Sequence, residues 1–175
     1  VLQKIQWKKS MKWGEFDLNW GRPLKSILAL FDKKKLTFDF HHLSSSNSTF
    51  IDKEFEEQKK IFNDFKEYSN FFKKMNIIID QKQRKDLIEK KLNEISNKKN
   101  IKIENNSKLL DEVVDLTDQP NVIICEFDRK FLNIPKEILI ITMQYHQKYF
   151  PTFDQKGNIT NEFLVITNKQ DKKGF

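Results

Sequence analysis

Four glycines and one cysteine are all that this chain of 175 residues holds of those two types. The glycines, Gly14, Gly21, Gly157 and Gly174, are never closely spaced, so no glycine-rich loop can cradle a phosphate with its backbone. Cys125 has no second thiol to pair with. That excludes an internal disulfide and any thiolate-paired zinc site, and it points to a reducing, cytoplasmic compartment. In the apolar run "VIICEF" this thiol reads as a small buried residue rather than a nucleophile. HExxH is absent, and the three histidines, His41, His42 and His146, have no ligand spacing. On a regular strand His41 and His42 point to opposite faces and cannot share a metal. No nucleophile elbow supports a Ser/His/Asp triad. A secretory h-region is missing from "VLQKIQWKKS", and no apolar run approaches the ~20 residues of a membrane span. The reading is therefore of no metal and no membrane.

Arginine is scarce as well: 3 residues against 29 lysines, within a formal net charge of +7. A basic excess suits a polyanion such as RNA. Yet Lys, Asn (15) and Ile (19) are enriched together with Phe (16), as A/T-rich codons would produce, and bidentate recognition favours Arg. Both origins of the charge stay open. Hydrophobic residues at 38% and aromatics at 13% suffice for a folded core. The length suits one domain. The chain opens without Met and mid-pattern and ends on "KQDKKGF", so it reads as a single α+β segment, 1–175, truncated at both ends.

Periodicity gives the elements. "GRPLKSILALF" reads as a short helix with Pro23 at its first position and Ile27, Leu28, Leu30 and Phe31 inward. "KLTFDFHH" alternates like a half-buried strand, and "LSSSNSTF" is a polar loop. "NDFKEYSNFFKKM" is a helix with an approximate capping box of Asp64 and Glu67. "NIIID" is a short strand. Asp80 caps a helix over "QKQRKDLIEKKLNEISNKK", with Leu87, Ile88, Leu92 and Ile95 as its stripe. "IKI" is an edge strand. "SKLLDEVVDLTD" is a helix with Ser107 at its N-cap and Pro120 marking its end, and "NVIICEF" is the central strand. "PKEILIITMQYHQKYF" is the strongest helix, bounded by Pro135 and Pro151, and a hairpin comes next with Gly157 and Asn158 at its turn. Without a βαβ rhythm the class is α+β, with a mixed, largely antiparallel sheet and packed helices.

Two stretches carry candidate chemistry. In "IQWKKSMKWGEFDLNWGRP", Trp7, Trp13 and Trp20 fall within fourteen residues among Lys8, Lys9, Lys12 and Arg22. They either anchor a short hairpin turning at Gly14 or stack on a nucleotide. The lysine runs at 33–35 and 98–99 read as solvated faces or turns. In "ITMQYHQKYFP", His146 lies near a face that is apolar one turn earlier. It is either a packed histidine at a helix end or, with Lys148 and Tyr149, a polar tip offered to a phosphate or base. A third option makes His146 a general base in an open polar pocket. The candidate RNA-facing residues are Lys9, Lys12, Arg22, His146, Lys148 and Tyr149, with no catalytic residue and no metal ligand.

These same stretches resemble a known family. "KKSMKWGEFDLNWGRPLKSILAL" is similar to "KSMRWG…RPI.W..AL", and "TMQYHQKYFPTFDQKGNITNEFLVITN" to "TM..HQKYFP…G.L…F..V.N", of the beta subunit of bacterial glycyl-tRNA synthetase. "LLDEVVDLTDQPNVIICEFDRKFLNIPKEIL" matches between them in order. The resemblance implies an internal piece of the N-terminal region of a glycine–tRNA ligase subunit, inactive alone. It implies a hetero-oligomer with an alpha subunit that uses ATP to load glycine onto tRNA-Gly, tRNA binding by the beta subunit, and no cofactor in this segment. It also implies a fold similar to the editing-type domain of the phenylalanyl-tRNA synthetase beta subunit. Alternatives are a scaffold that docks other synthetase domains or the alpha subunit without touching RNA, and a degenerate editing-type hydrolase. Two departures stand out. "STFIDKEFEEQ" lacks the Gly and His of the family's Gly-His-Arg-Phe stretch, so no role of that histidine transfers. The chain also stops before the Gly-Asn-Glu-Arg motif expected after "NKQDKKGF".

Overall fold

The structure, a computed structural model, describes residues 2–53, 56–104 and 106–168. "KQDKKGF" lies outside them. Contacts gather into two compact units, Val1–Phe71 and Phe72–Phe175.

The first unit is built from short strands. After a 3-10 turn, Leu2–Lys4, strands β1 (Met11–Lys12) and β2 (Asn19–Trp20) pair antiparallel. Gly14 takes φ +64° at the turn, where a side chain is disfavoured. "GRPLKSILALF", expected as a helix, is extended instead: β3 (Ile27–Leu28) and β4 (Leu30–Phe31) are strands. The cause is a two-residue hairpin. β4 pairs with β5 (Lys34–Lys35) around Asp32 and Lys33, both at positive φ, the type I′ geometry whose twist matches paired strands. Phe31, expected inward, is 73% exposed.

"KLTFDFHH" is only partly a strand, β6 (Asp39–Phe40), and of its apolar residues only Phe40 is buried. His41 sits at φ +53° in a turn, so the strand-face geometry expected of His41 and His42 does not apply. The serine run, expected as a loop, forms β7 (Leu43–Ser46) and β8 (Ser48–Lys53). β7 pairs antiparallel with β6 and parallel with β3. Its hydroxyls do the work of backbone partners. Buried Ser45 donates to Leu36 O at 2.7 Å and accepts from Phe38 N at 2.8 Å, and Ser46 bonds Ser48. Satisfied in this way, serine is tolerated inside a sheet. β8 pairs with β9 (Glu56–Ile61).

Helix α1 (Phe65–Lys74) closes this unit and its last turn opens the next. Its capping box holds in shifted form. Asp64 accepts from Glu67 N at 2.7 Å, while the Glu67 carboxylate reaches back to Asn63 N at 3.0 Å. Tyr68 and Phe71 meet the fully buried Phe62 edge-on, at 5.2 and 5.5 Å.

In the second unit, "NIIID" is not a strand. The Arg84 guanidinium takes the Ile78 and Ile79 carbonyls at 2.7 and 2.8 Å, and its Nε takes Val114 O at 3.1 Å. Two acceptors that a neighbouring strand would use are thereby occupied. Helix α2 (Gln81–Lys99) comes next, capped by Asp80 accepting from Gln83 N. β10 (Lys102–Ile103) is an edge strand. α3 (Ser107–Leu116) is capped by Asn106 rather than Ser107, one residue earlier than expected, with Leu109 N donating at 3.0 Å. It ends at Leu116, and Pro120 starts β11 (Pro120–Glu126).

A 3-10 turn, Arg129–Asn133, leads to α4 (Lys136–Ile141), which widens into a π-helical segment, Thr142–Gln147. The expected single α-helix up to Pro151 therefore ends earlier, at Lys148 in the left-handed region (φ +59°). Phe150 and Pro151 belong to β12 (Phe150–Phe153). The expected hairpin then forms with β13 (Ile159–Asn168), Gly157 standing at φ +87°.

Sheet order is β10-β12-β13-β11, all antiparallel. β11, expected at the centre, is an edge strand paired along its length with β13. Its apolar run is explained by one covered face. Val122 and Ile124 pack on the core, while Ile123 is 38% exposed and Cys125 half-buried rather than buried. That core joins Ile88 and Leu92 of α2, four residues of α3, Phe150 and Leu164, so two helices cover one face of the sheet. The class is α+β as expected. The strands, however, form several small, mostly antiparallel sheets rather than one.

Candidate nucleic-acid interface

Lys9, Lys12 and Arg22 lie in the first unit, and His146, Lys148 and Tyr149 in the second. The first three surround the β1–β2 hairpin. Its frame is aromatic: Trp13 Nε1 donates to Trp20 O at 2.9 Å, Trp7 meets Trp20 edge-on at 5.0 Å, and Trp20 meets Phe40 at 5.5 Å. Gly21 is the close-approach point, since a Cβ there would stand 2.8 Å from the Trp7 ring. The tryptophans thus anchor a hairpin, while Trp7 keeps 43% of its surface exposed.

Residues 2–12 hold Lys4, Lys8, Lys9 and Lys12 and no acid. Lys8, Lys9 and Arg22 are exposed, and none of them has an ion pair among the described residues. Lys12 differs, because its ammonium sits 2.7 Å from the Asp17 carboxylate. That hydrogen bond and charge hold the Asp17 pKa below the usual aspartate value.

At the other candidate tip, the π-helical segment decides where each group goes. Lys148 N donates to Met143 O, as does Tyr149 N at 2.8 Å. The Lys148 ammonium is 2.5 Å from Glu112 of α3 and 5.4 Å from the Tyr145 ring. Tyr149 is half-buried and stacks on Phe163 at 5.0 Å. His146 is exposed, edge-on to Tyr145 at 5.2 Å. It is neither packed in the core nor set in a polar pocket. The 340 Å³ cavity beside this helix is walled by Phe127, Ile138, Met143, Tyr149 and Phe163 among others, and His146 is not on its wall. Among the described residues no group of three or more His, Cys, Asp or Glu could hold a metal, and no helix is long and apolar enough to cross a membrane.

Of the six candidates, then, Lys9, Arg22 and His146 present unengaged polar groups, while Lys12, Lys148 and Tyr149 are engaged by Asp17, Glu112 and Phe163. Lys8 was passed over at the sequence level, although its place in an acid-free run beside Trp7 was visible there.

The hairpin sequence and the turn from π-helix into β12 coincide with the stretches that carry the family resemblance. The sequence model of the glycyl-tRNA synthetase beta subunit family matches residues 1–174. The glycine–tRNA ligase beta subunit of Rickettsia akari (strain Hartford) is 37% identical over 168 residues, covering 96% of this chain and 25% of the relative. Those of Rickettsia felis (strain ATCC VR-1525 / URRWXCal2) and Rickettsia bellii (strain OSU 85-389) are each 36% identical over 170 residues, covering 96% and 97% of this chain and 26% of each relative. The class is that of an aminoacyl-tRNA synthetase subunit. The chain belongs to the glycyl-tRNA synthetase beta subunit family. It spans about a quarter of the length of the curated relatives it matches.

Proposed function

We propose that this segment helps the beta subunit of a glycine–tRNA ligase bind tRNA-Gly, while the alpha subunit of an alpha/beta complex attaches glycine using ATP. The observation that carries the reading is the β1–β2 hairpin and the arm leading into it. Lys8 and Lys9 stand exposed in an acid-free run, beside a partly exposed tryptophan and close in sequence to Arg22, which is also exposed. Cations without carboxylate partners neutralise phosphates at no cost of a broken ion pair, and an indole face accepts a base. His146 is the contact from the second unit. Lys12 and Lys148 reach RNA only by leaving Asp17 and Glu112, so their contributions are smaller, and Tyr149 contributes by setting the turn.

Titration of the full alpha/beta complex with tRNA-Gly over a range of salt tests this. Replacing Lys9 and Arg22 together by alanine weakens binding and flattens the log–log salt slope by about one to two units. An unchanged slope removes the hairpin from the interface.

A scaffold role is the second reading, favoured by one observation. Ile138 and Ile141 of α4 are 55% and 57% exposed, and Phe131 beside them 43%. Such a run of large apolar residues suits a protein surface. The two readings use different faces and can both hold.

A further inference from the structure

The second unit contains a cavity of 580 Å³, lined by the end of α1, the 75–78 segment, α2 and the start of β11. Its volume falls within the range of small-molecule sites, about 300–1,000 Å³. The lining includes Lys73 and Lys91 and no Asp or Glu. Ile77, Leu87 and Pro120 supply an apolar wall, and Gln119 is fixed there by donating to Met75 O at 2.7 Å.

Lys91 is the unusual member. Three lysines of this unit are half-buried: Lys85, Lys91 and Lys148. Lys85 pairs with Asp111 at 2.7 Å and Lys148 with Glu112 at 2.5 Å. Lys91 has no ion pair or hydrogen bond among the described residues. A partly desolvated ammonium is ordinarily offset by a carboxylate, and here none lines the space it borders. Nor is either lysine needed to finish α1. The carbonyls of Phe72 and Lys73 already accept from Met75, Asn76 and Ile77 N–H groups at 2.9 to 3.0 Å.

We propose that this cavity is a nucleotide site, in which Lys73 and Lys91 hold a phosphate and the apolar wall receives the ribose or base. Two ammonium groups select an anion, and the Ile77–Leu87 wall selects one with a flat apolar body. The nucleotide is either one residue of an RNA chain or a free nucleoside phosphate. The RNA source rests on the tRNA-binding reading, and the free-nucleotide source does not.

Lysine acylation read by mass spectrometry separates the cases. The full alpha/beta complex is labelled alone and with tRNA-Gly, and the full-length beta subunit alone and with ATP. With ligand at about ten times its Kd, labelling of Lys91 slows about tenfold, in proportion to the unoccupied fraction, while Lys90, exposed and facing Glu94, labels as before. Protection by tRNA assigns the site to an RNA nucleotide, and protection by ATP to a free one. The proposal is overturned if neither ligand slows Lys91, if Lys91 is already shielded without ligand, or if Lys90 is protected to the same extent. Protection of Lys8 and Lys9 by tRNA without protection of Lys91 sinks the cavity and leaves the tRNA reading standing. The Lys91→Gln variant gives a second measurement: binding of the protecting ligand weakens about tenfold, the loss expected for one charge-assisted hydrogen bond.

Discussion

Glu112 holds the Lys148 ammonium at 2.5 Å, so this lysine is occupied before any RNA arrives. The pair is partly exposed, and such pairs contribute little to stability. Its consequence is for binding. Glu112→Gln releases Lys148, tightens tRNA-Gly binding at low salt and steepens the salt slope by up to about one unit. Lys148→Ala with Glu112→Ala leaves the local charge unchanged and restores the parental slope. Filter-binding titrations of the alpha/beta complex at several salt concentrations read both outcomes.

Arg84 ties α2 to the carbonyls of Ile78, Ile79 and Val114. Arg84→Ala leaves these acceptors without their donor and costs about 1–3 kcal/mol locally. Arg84→Lys recovers little, because one ammonium cannot reproduce a fork that serves three carbonyls. Hydrogen exchange in the full-length beta subunit checks this, with faster exchange of residues 77–84 expected in both variants.

Leu164 is fully buried at the centre of the sheet, against α2 and α3. Leu164→Ala removes core volume that the two helices cannot fill and costs about 2–5 kcal/mol. Ile123, on the same sheet but 38% exposed, tolerates Ile123→Thr far better. Thermal melts of the two variants of the full-length subunit give the comparison.

The turn between β12 and β13 is organised by one carboxylate. Asp154 accepts from the Asn158 side chain at 2.9 Å and from Asn158 N at 2.8 Å. These bonds, the side-chain one first, hold its pKa below the usual aspartate value. A depressed pKa stabilises the fold above the unfolded value, near pH 4, and that contribution is lost as pH falls through the folded value. Amide exchange of residues 154–160 therefore accelerates in acid more steeply than in Asp154→Asn, whose turn is weaker at neutral pH and insensitive to this titration.

Sequence patterns showed the second unit better than the first, for a physical reason. α2 and α3 are long enough for their apolar stripes to repeat, and Asp80 supplies a cap with a recognisable side chain. The first unit is made of two- to six-residue strands, too short for alternation to declare itself. Its pairing depends on hydroxyls: Ser45 and Ser48 look like loop residues until their partners are seen. "NIIID" misled because its strand-like residues are bonded by Arg84, a side chain four to eight positions further on. At the candidate interface, the charges were legible as residue types but not as partners. Nothing in the order of residues announces that Lys148 meets Glu112 or that Lys12 meets Asp17, while Lys9 and Arg22 meet no carboxylate among the described residues. The cavity at Lys91 was invisible for the same reason.

A π turn carries one more residue than an α turn over the same rise. Removing any single residue between Thr142 and Gln147 would give a plain helix, but would swing the start of β12 by about 100°. Phe150, fully engaged in the core, could not accompany that rotation. The largely hydrophilic peptide that precedes it is thus a spacer of fixed length, more sensitive to deletion than to substitution.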